Sequence, residues 1–130
     1  MMNLKNNNVL QLAYMGDAIY EVYIREFLIN KGIVKVNDLQ KNAVKYVSAK
    51  AQANFLMNLI NENFFDDIEL EIIKRARNHK SRIPKNTDIV TYKYATSLEA
   101  VIGYLYLSNN KSRIDKIMEY ILNTNDNKGE

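Results

Sequence analysis

Two carboxylates stand alone in long apolar surroundings. Asp17 lies within Leu12-Ala13-Tyr14-Met15-Gly16-Asp17-Ala18-Ile19-Tyr20, and Glu99 within Leu98-Glu99-Ala100-Val101-Ile102-Gly103-Tyr104-Leu105-Tyr106-Leu107. Removing an ionised carboxylate from water costs several kcal/mol unless something replaces its hydration. Each therefore needs a cation, a dense hydrogen-bond network or a water-filled cleft. A divalent metal in a catalytic cleft meets that need and brings a chemistry with it, activation of water and stabilisation of negative charge at a reacting centre. The competing reading is structural: each carboxylate pairs with a nearby Arg, Lys or Tyr hydroxyl. Pattern alone leaves both open.

The remaining composition narrows the chemistry. The chain has no cysteine and one histidine, His79. That excludes a disulfide framework, a thiol nucleophile and Cys- or His-rich metal sites. Any metal must be held by oxygen, which points to Mg²⁺ or Mn²⁺. No run has the length and apolarity of a signal peptide or a transmembrane span, so the expected location is the cytoplasm, with no membrane partner.

The elements that must position these carboxylates are helices. Glycine occurs four times and proline once, and no stretch alternates with period two, so the expected fold is all-α. At 130 residues the chain reads as a single domain, 1–130, with a core over about 9–122 and a frayed polar tail over 123–130. The pattern predicts a first helix from Val9 to Asn30, capped by Asn8 or a neighbour, broken at Lys31-Gly32, and apolar around most of its circumference, hence central and buried. Asn37-Asp38 should cap a second helix, Ser48 a third ending near Asn61, and Asp66-Asp67 a fourth fading near Asn78. His79–Asp88, which contains Pro84, should be an exposed loop. Helices over about Thr91–Ser108 and Lys111–Leu122 complete the set. Residues three and four apart share a helical face, which puts Glu21 beside Asp17 and Gly103 one turn beyond Glu99. Gly16, Ala18 and Gly103 are small enough to let two backbones approach until the carboxylates converge.

Net charge is +3, and its distribution matters more than its size. Residues 71–93 hold Lys74, Arg75, Arg77, Lys80, Arg82, Lys85 and Lys93 against Glu71 and Asp88, a local charge of +5. Three of five arginines fall within eight residues. Basic groups at a helix C-terminus complement its dipole, which accounts for Lys74, Arg75 and Arg77 without any ligand. Arg82 and Lys85 lie beyond the expected helix, so phosphate neutralisation is the alternative to a solvated face. The tyrosines of the apolar helices read as core or subunit-interface residues with a polar tip.

The residues quoted above resemble a known family. Leu12–Glu21 is similar to the signature helix of ribonuclease III nuclease domains, where a Leu-Gly-Asp-Ala run carries a catalytic aspartate. Leu98–Leu107 is similar to the family's second motif, a Glu-Ala-Leu-Ile-Gly helix with a catalytic glutamate. Tyr46-Val47-Ser48-Ala49-Lys50-Ala51-Gln52-Ala53, Arg75-Ala76-Arg77-Asn78-His79-Lys80-Ser81 and Pro84-Lys85-Asn86 look like the small branch called mini-ribonuclease III, which consists of the nuclease domain alone. The resemblance spans about Leu10 to Leu122. The larger family carries further carboxylates where this chain has Leu10, Ala13 and Thr96, and the mini branch is similar in lacking them. Mg²⁺ tolerates this, since it keeps several waters and takes only one or two carboxylates plus substrate phosphate.

The resemblance implies a homodimeric, metal-dependent endoribonuclease that lays double-stranded RNA along a valley between subunits, with one active site in each. It implies cuts on opposite strands that leave short 3′ overhangs, and a role in maturing precursor ribosomal RNA of the large (23S) subunit. Asp17 and Glu99 would hold Mg²⁺ (Mn²⁺ as substitute), with Glu21 supporting them. Lys50, Arg75, Arg77, Asn78, Lys80, Arg82 and Lys85 would contact RNA. An appended double-stranded RNA-binding domain is not expected. Two rivals remain: a non-catalytic double-stranded RNA-binding module, and a DNA-binding domain using residues 66–78 as a recognition helix. The second is disfavoured because the basic residues continue past that helix.

Overall fold

The computed structural model describes residues 8–79, 85–86 and 88–128, the last four for backbone only. Its elements are α1 (Val9–Asn30), α2 (Val36–Val47), α3 (Ala49–Asn61), α4 (Asp67–Asn78), α5 (Ile89–Leu107) and α6 (Lys111–Lys128), and no strand occurs among the described residues. The all-α expectation is met.

Local chemistry sets most boundaries. Asn8 caps α1 by accepting from the Leu10 amide at 2.7 Å, and Ser48 caps α3 by accepting from the Ala51 amide at 3.1 Å. Asp66 and Glu69 form a reciprocal capping box at the start of α4. Asn63 and Asn109, with positive φ of 56° and 60°, end α3 and α5. At each, the asparagine's own amide and the next one reach back into the last turn: Asn63 to Ile60 and Phe64 to Leu59, then Asn109 to Tyr106 and Asn110 to Leu105. Asparagine supports the left-handed backbone that this closure needs, standing where glycine is commoner.

Four expectations change. Helix α2 begins at Val36 behind Lys35, which offers no side-chain cap; Asp38 lies within the first turn and favours the helix through its charge. Helix α5 begins at Ile89, because Asp88 accepts from the Thr91 amide and hydroxyl at 3.1 and 2.9 Å. The segment 123–128, read as a frayed tail, continues α6, since no Gly or Pro interrupts it before Gly129. The central helix is α5, not α1. Ala95 to Leu98, Ala100 to Gly103 and Leu105 are all buried, and α5 packs on α1, α3, α4 and α6. Helix α1 buries Val9, Leu12, Ala13, Gly16, Tyr20, Ile24 and Leu28, the spacing of one helical face, while Tyr14, Val22 and Ile29 remain exposed. Its apolar circumference reflects a second apolar face that the single chain leaves open.

Two buried polar links tie the helices in register. The Tyr20 hydroxyl donates to the Tyr46 carbonyl at 2.6 Å, joining α1 to α2. Arg113 of α6 donates to both oxygens of buried Glu69 at 2.8 Å and lies over the Phe64 ring, joining α6 to the start of α4.

Candidate active site

Two glycines bring the carboxylates together. A Cβ on Gly16 would overlap the Glu99 carbonyl and lie 2.9 Å from the Gly103 amide nitrogen. One on Gly103 would overlap the Leu12 carbonyl and lie 3.0 Å from the Gly16 amide nitrogen. Helices α1 and α5 thus meet backbone to backbone at the residue preceding Asp17 and across from Glu99. The small-residue reasoning from sequence holds at Gly16 and Gly103 but not at Ala18, which is exposed.

The two carboxylates have unlike environments. Asp17 is exposed on the open face of α1 with Tyr14 and Ala18, whereas Glu99 is partly buried at the helix contact. Burial pushes the Glu99 carboxyl up to about 8, reinforced by the charge of Asp17 and a hydrogen bond with it, and by the charge of Glu21. The side-chain amide of Gln52 on α3 works in the opposite direction. Glu21 thus lies within electrostatic reach, but its own carboxylate accepts from Arg25 Nε at 3.2 Å, one turn further along α1.

Two neighbouring carboxylates, one of which keeps its proton through burial and then through the charge of the other, suit a divalent cation, which would offset both effects. Among the described residues no group of three or more acidic, His or Cys side chains could hold a metal. An ion held by these two carboxylates would complete its shell with water and phosphate oxygens, as Mg²⁺ and Mn²⁺ do.

The basic residues are distributed over several surfaces. Arg75 and Asn78 line an open recess of about 510 Å³ with Asn8, Val9, Glu71, Lys74 and His79. Arg77 is partly buried in the last turn of α4. Lys85 is exposed between α4 and α5, and Lys80 and Arg82 lie outside the described residues. Lys50 lines a different recess at the α2–α3 corner with Lys45, Ser48 and Asn54. The middle of α4 is joined to α5 near Glu99: the Ser97 hydroxyl, two residues before Glu99, lies 2.7 Å from the Lys93 carbonyl and 3.2 Å from the Ile73 carbonyl of α4. Gln52 was not singled out from sequence. Its signal was available, since it is an amide at i−3 and i−4 from Phe55 and Leu56 on the buried face of α3.

Known proteins resemble this chain over most of its length. A family model described as "Ribonuclease III domain" matches residues 10–110. A protein of Brevibacillus brevis named "Mini-ribonuclease 3" is 50% identical over 86% of this chain and 83% of its own. Proteins of the same name from Staphylococcus aureus and Streptococcus pneumoniae are 43% and 42% identical, covering 92% and 94% of this chain and 90% and 96% of theirs. A crystal structure of a Fusobacterium nucleatum protein superposes with a TM-score of 0.85 at 32% identity, covering 95% of this chain and 99% of that one.

Proposed function

The chain belongs to the ribonuclease III family, in its mini-ribonuclease III branch, and on that footing we propose that it cleaves double-stranded RNA with Asp17 and Glu99 as its catalytic carboxylates. The observation that carries this is the convergence of the two carboxylates at the Gly16–Gly103 contact, with Glu99 held up to about 8 beside Asp17. The implied cation is Mg²⁺, with Mn²⁺ as a substitute, and it supplies stabilisation of the negative charge that develops on phosphate and leaving oxygen. The chain's residues do the rest. Asp17 and Glu99 present their oxygens from two helices that cannot separate or slide without disturbing a backbone contact. Glu99 must give up its proton for the pair to take the cation, and Asp17, exposed, leaves the site open to the phosphate backbone. Glu21 adds negative potential from behind and is held in place by Arg25.

The RNA contacts fall to Lys50, Arg75, Arg77, Asn78, Lys80, Arg82 and Lys85. They carry no pattern for reading bases, which suits a duplex recognised through shape and phosphate. The substrate carried over from the resemblance is precursor ribosomal RNA of the large subunit, in the cytoplasm. No helix among the described residues is long and apolar enough to cross a membrane.

A second copy of the chain completes the assembly. Val22 is 59% exposed on α1, and Tyr106 and Leu107 are exposed at the end of α5. A largely apolar groove of about 740 Å³ runs between them, lined by Ile19, Val22, Tyr23, Tyr106, Leu107 and Ile114 together with Glu26, Asn109 and Lys111. Such surface is most simply covered by a two-fold interface.

The test is incubation with duplex RNA, with and without Mg²⁺, followed by measurement of strand lengths on a denaturing gel. Shortened strands only with Mg²⁺ support the proposal. A retarded but intact duplex would favour the non-catalytic binding module.

A further inference from the structure

Arg25 is the one cation on α1, whose other charged residues are Asp17, Glu21 and Glu26. Asp17, Glu21 and Arg25 follow at intervals of four, so they share one side of the helix. Arg25 stands two turns, about 12 Å, beyond Asp17. Its Nε donates to Glu21 Oε2 at 3.2 Å, and its two Nη nitrogens have no partner among the described residues. The side chain is 75% exposed. It borders an open recess of about 380 Å³ between α1 and α2, beside Leu28, Val36, Leu39 and Ala43. An arginine stem can lie along such apolar surface while its head stays in water. With Nε engaged, the edge formed by the two Nη groups is left for an oxyanion.

A Glu–Arg pair four apart on a helix surface adds little to a helix already packed on α5. That accounts for the pair but not for its place. A phosphate that approaches Asp17 meets a side of α1 bearing two carboxylates, Asp17 and Glu21. The basic residues assigned to RNA belong to α4, the α4–α5 connection and the α2–α3 corner, and none of them to α1. Arg25 is the cation that α1 itself offers to a polyanion laid across the carboxylates. We infer that Arg25 is a binding residue for duplex RNA, whose Nη edge takes a backbone phosphate further along the strand from the one at Asp17 and Glu99, with Glu21 fixing the guanidinium for it. Two parallel N–H donors match two phosphate oxygens, a fit that lysine lacks.

The inference rests on the reading of the chain as a duplex RNA nuclease. It is tested with the full chain, chelator and labelled uncut duplex RNA, by fluorescence anisotropy over a range of salt. Arg25→Met keeps an apolar stem and removes the fork. Its log–log salt slope should be flatter by about 0.9 per subunit, one phosphate contact by the duplex-DNA value. Arg25→Lys should restore the slope and only part of the affinity. Lys41→Met, which removes an exposed cation of α2 outside that recess, should leave the slope as it was. With Mg²⁺ added, Arg25→Met should need more RNA for half-saturation, while its affinity for Mn²⁺ alone, read by titration calorimetry, stays at the wild-type value. An unchanged slope in Arg25→Met, or an equal loss in Lys41→Met, overturns the inference and returns Arg25 to an ordinary surface pair. A fall in Mn²⁺ affinity at unchanged slope also overturns it, giving Arg25 to the cation site. Wild-type chain that binds no duplex overturns the RNA reading as well.

Discussion

Gly16 and Gly103 touch backbone to backbone across the α1–α5 contact, and neither has room for a methyl group. Because the atoms in the way are carbonyls and amides of the opposing helix, no rotamer change can relieve the clash. Gly16→Ala or Gly103→Ala should destabilise the chain by more than the about 1–3 kcal/mol of ordinary overpacking. Cleavage should be lost with it, because the helices that carry Asp17 and Glu99 are forced apart. Urea denaturation reads the first effect. An alanine variant as stable as wild type would mean that the two helices do not meet as described.

The raised Glu99 carboxyl makes stability pH-dependent with a defined sign. Its proton is bound more tightly in the folded chain, at about 8, than at the ordinary value of 4.5. The contribution is fully present below about 4.5 and is lost as pH rises through 8. With metal chelated, the melting temperature should fall between these values, and Glu99→Gln should flatten the fall. Cation affinity should rise over the same window, because the proton competes with the ion. A melting temperature that climbs from pH 5 to pH 8 and does so equally in Glu99→Gln would contradict this.

Much of this site was legible in the sequence. Asp17 and Glu99 interrupt apolar helical runs, and Gly16 and Gly103 are small residues at helical spacing from them, so the convergence followed from type and period. The caps at Asn8, Ser48 and Asp66 were readable for the same reason: a short polar side chain before an apolar repeat. What escaped was set by distant contacts. Helix α1 reads as buried all round because the pattern cannot distinguish a face covered by α5 from one left open at Tyr14 and Val22. Gln52 passed unremarked because its bond to the Val47 carbonyl crosses the α2–α3 corner and does not follow helical spacing. The continuation of α6 past Leu122 was missed because Asn and Thr weaken a helix without ending it.

Arg113 should be essential to the fold although it is far in sequence from Glu69. Removing it in Arg113→Met leaves Glu69, 2% exposed, with an uncompensated charge. A loss of about 3–5 kcal/mol is expected. The double variant Arg113→Met with Glu69→Leu should recover part of it, which a double-mutant cycle by chemical denaturation measures.

The apolar side of α1 at Ile19, Val22 and Tyr23, apart from Asp17, should hold two copies together. Sedimentation should find a species near twice 15.1 kDa at micromolar concentration. Val22→Asp should shift it toward the monomer without loss of helicity. A wild-type monomer that still cuts both strands of a duplex would rule out the paired arrangement.

Phosphate contacts should make RNA binding steeply salt-dependent. Replacing Arg82 and Lys85 by alanine should flatten the log–log salt slope by roughly one to two per subunit, taking about 0.9 per contact from duplex DNA. Unchanged affinity and slope would return these residues to an ordinary solvated surface.

The central claim is that Asp17 and Glu99 act as one cation-holding pair. Asp17→Asn and Glu99→Gln preserve shape while removing the charge each contributes. The direct measurement is the Mg²⁺-dependent rate of duplex RNA cleavage by each variant, alongside its helicity and its affinity for uncut duplex. Cleavage should be abolished in both while helicity and duplex binding persist. A rate within about tenfold of wild type, a barrier change of only about 1.4 kcal/mol, in either variant would contradict the assignment of that residue.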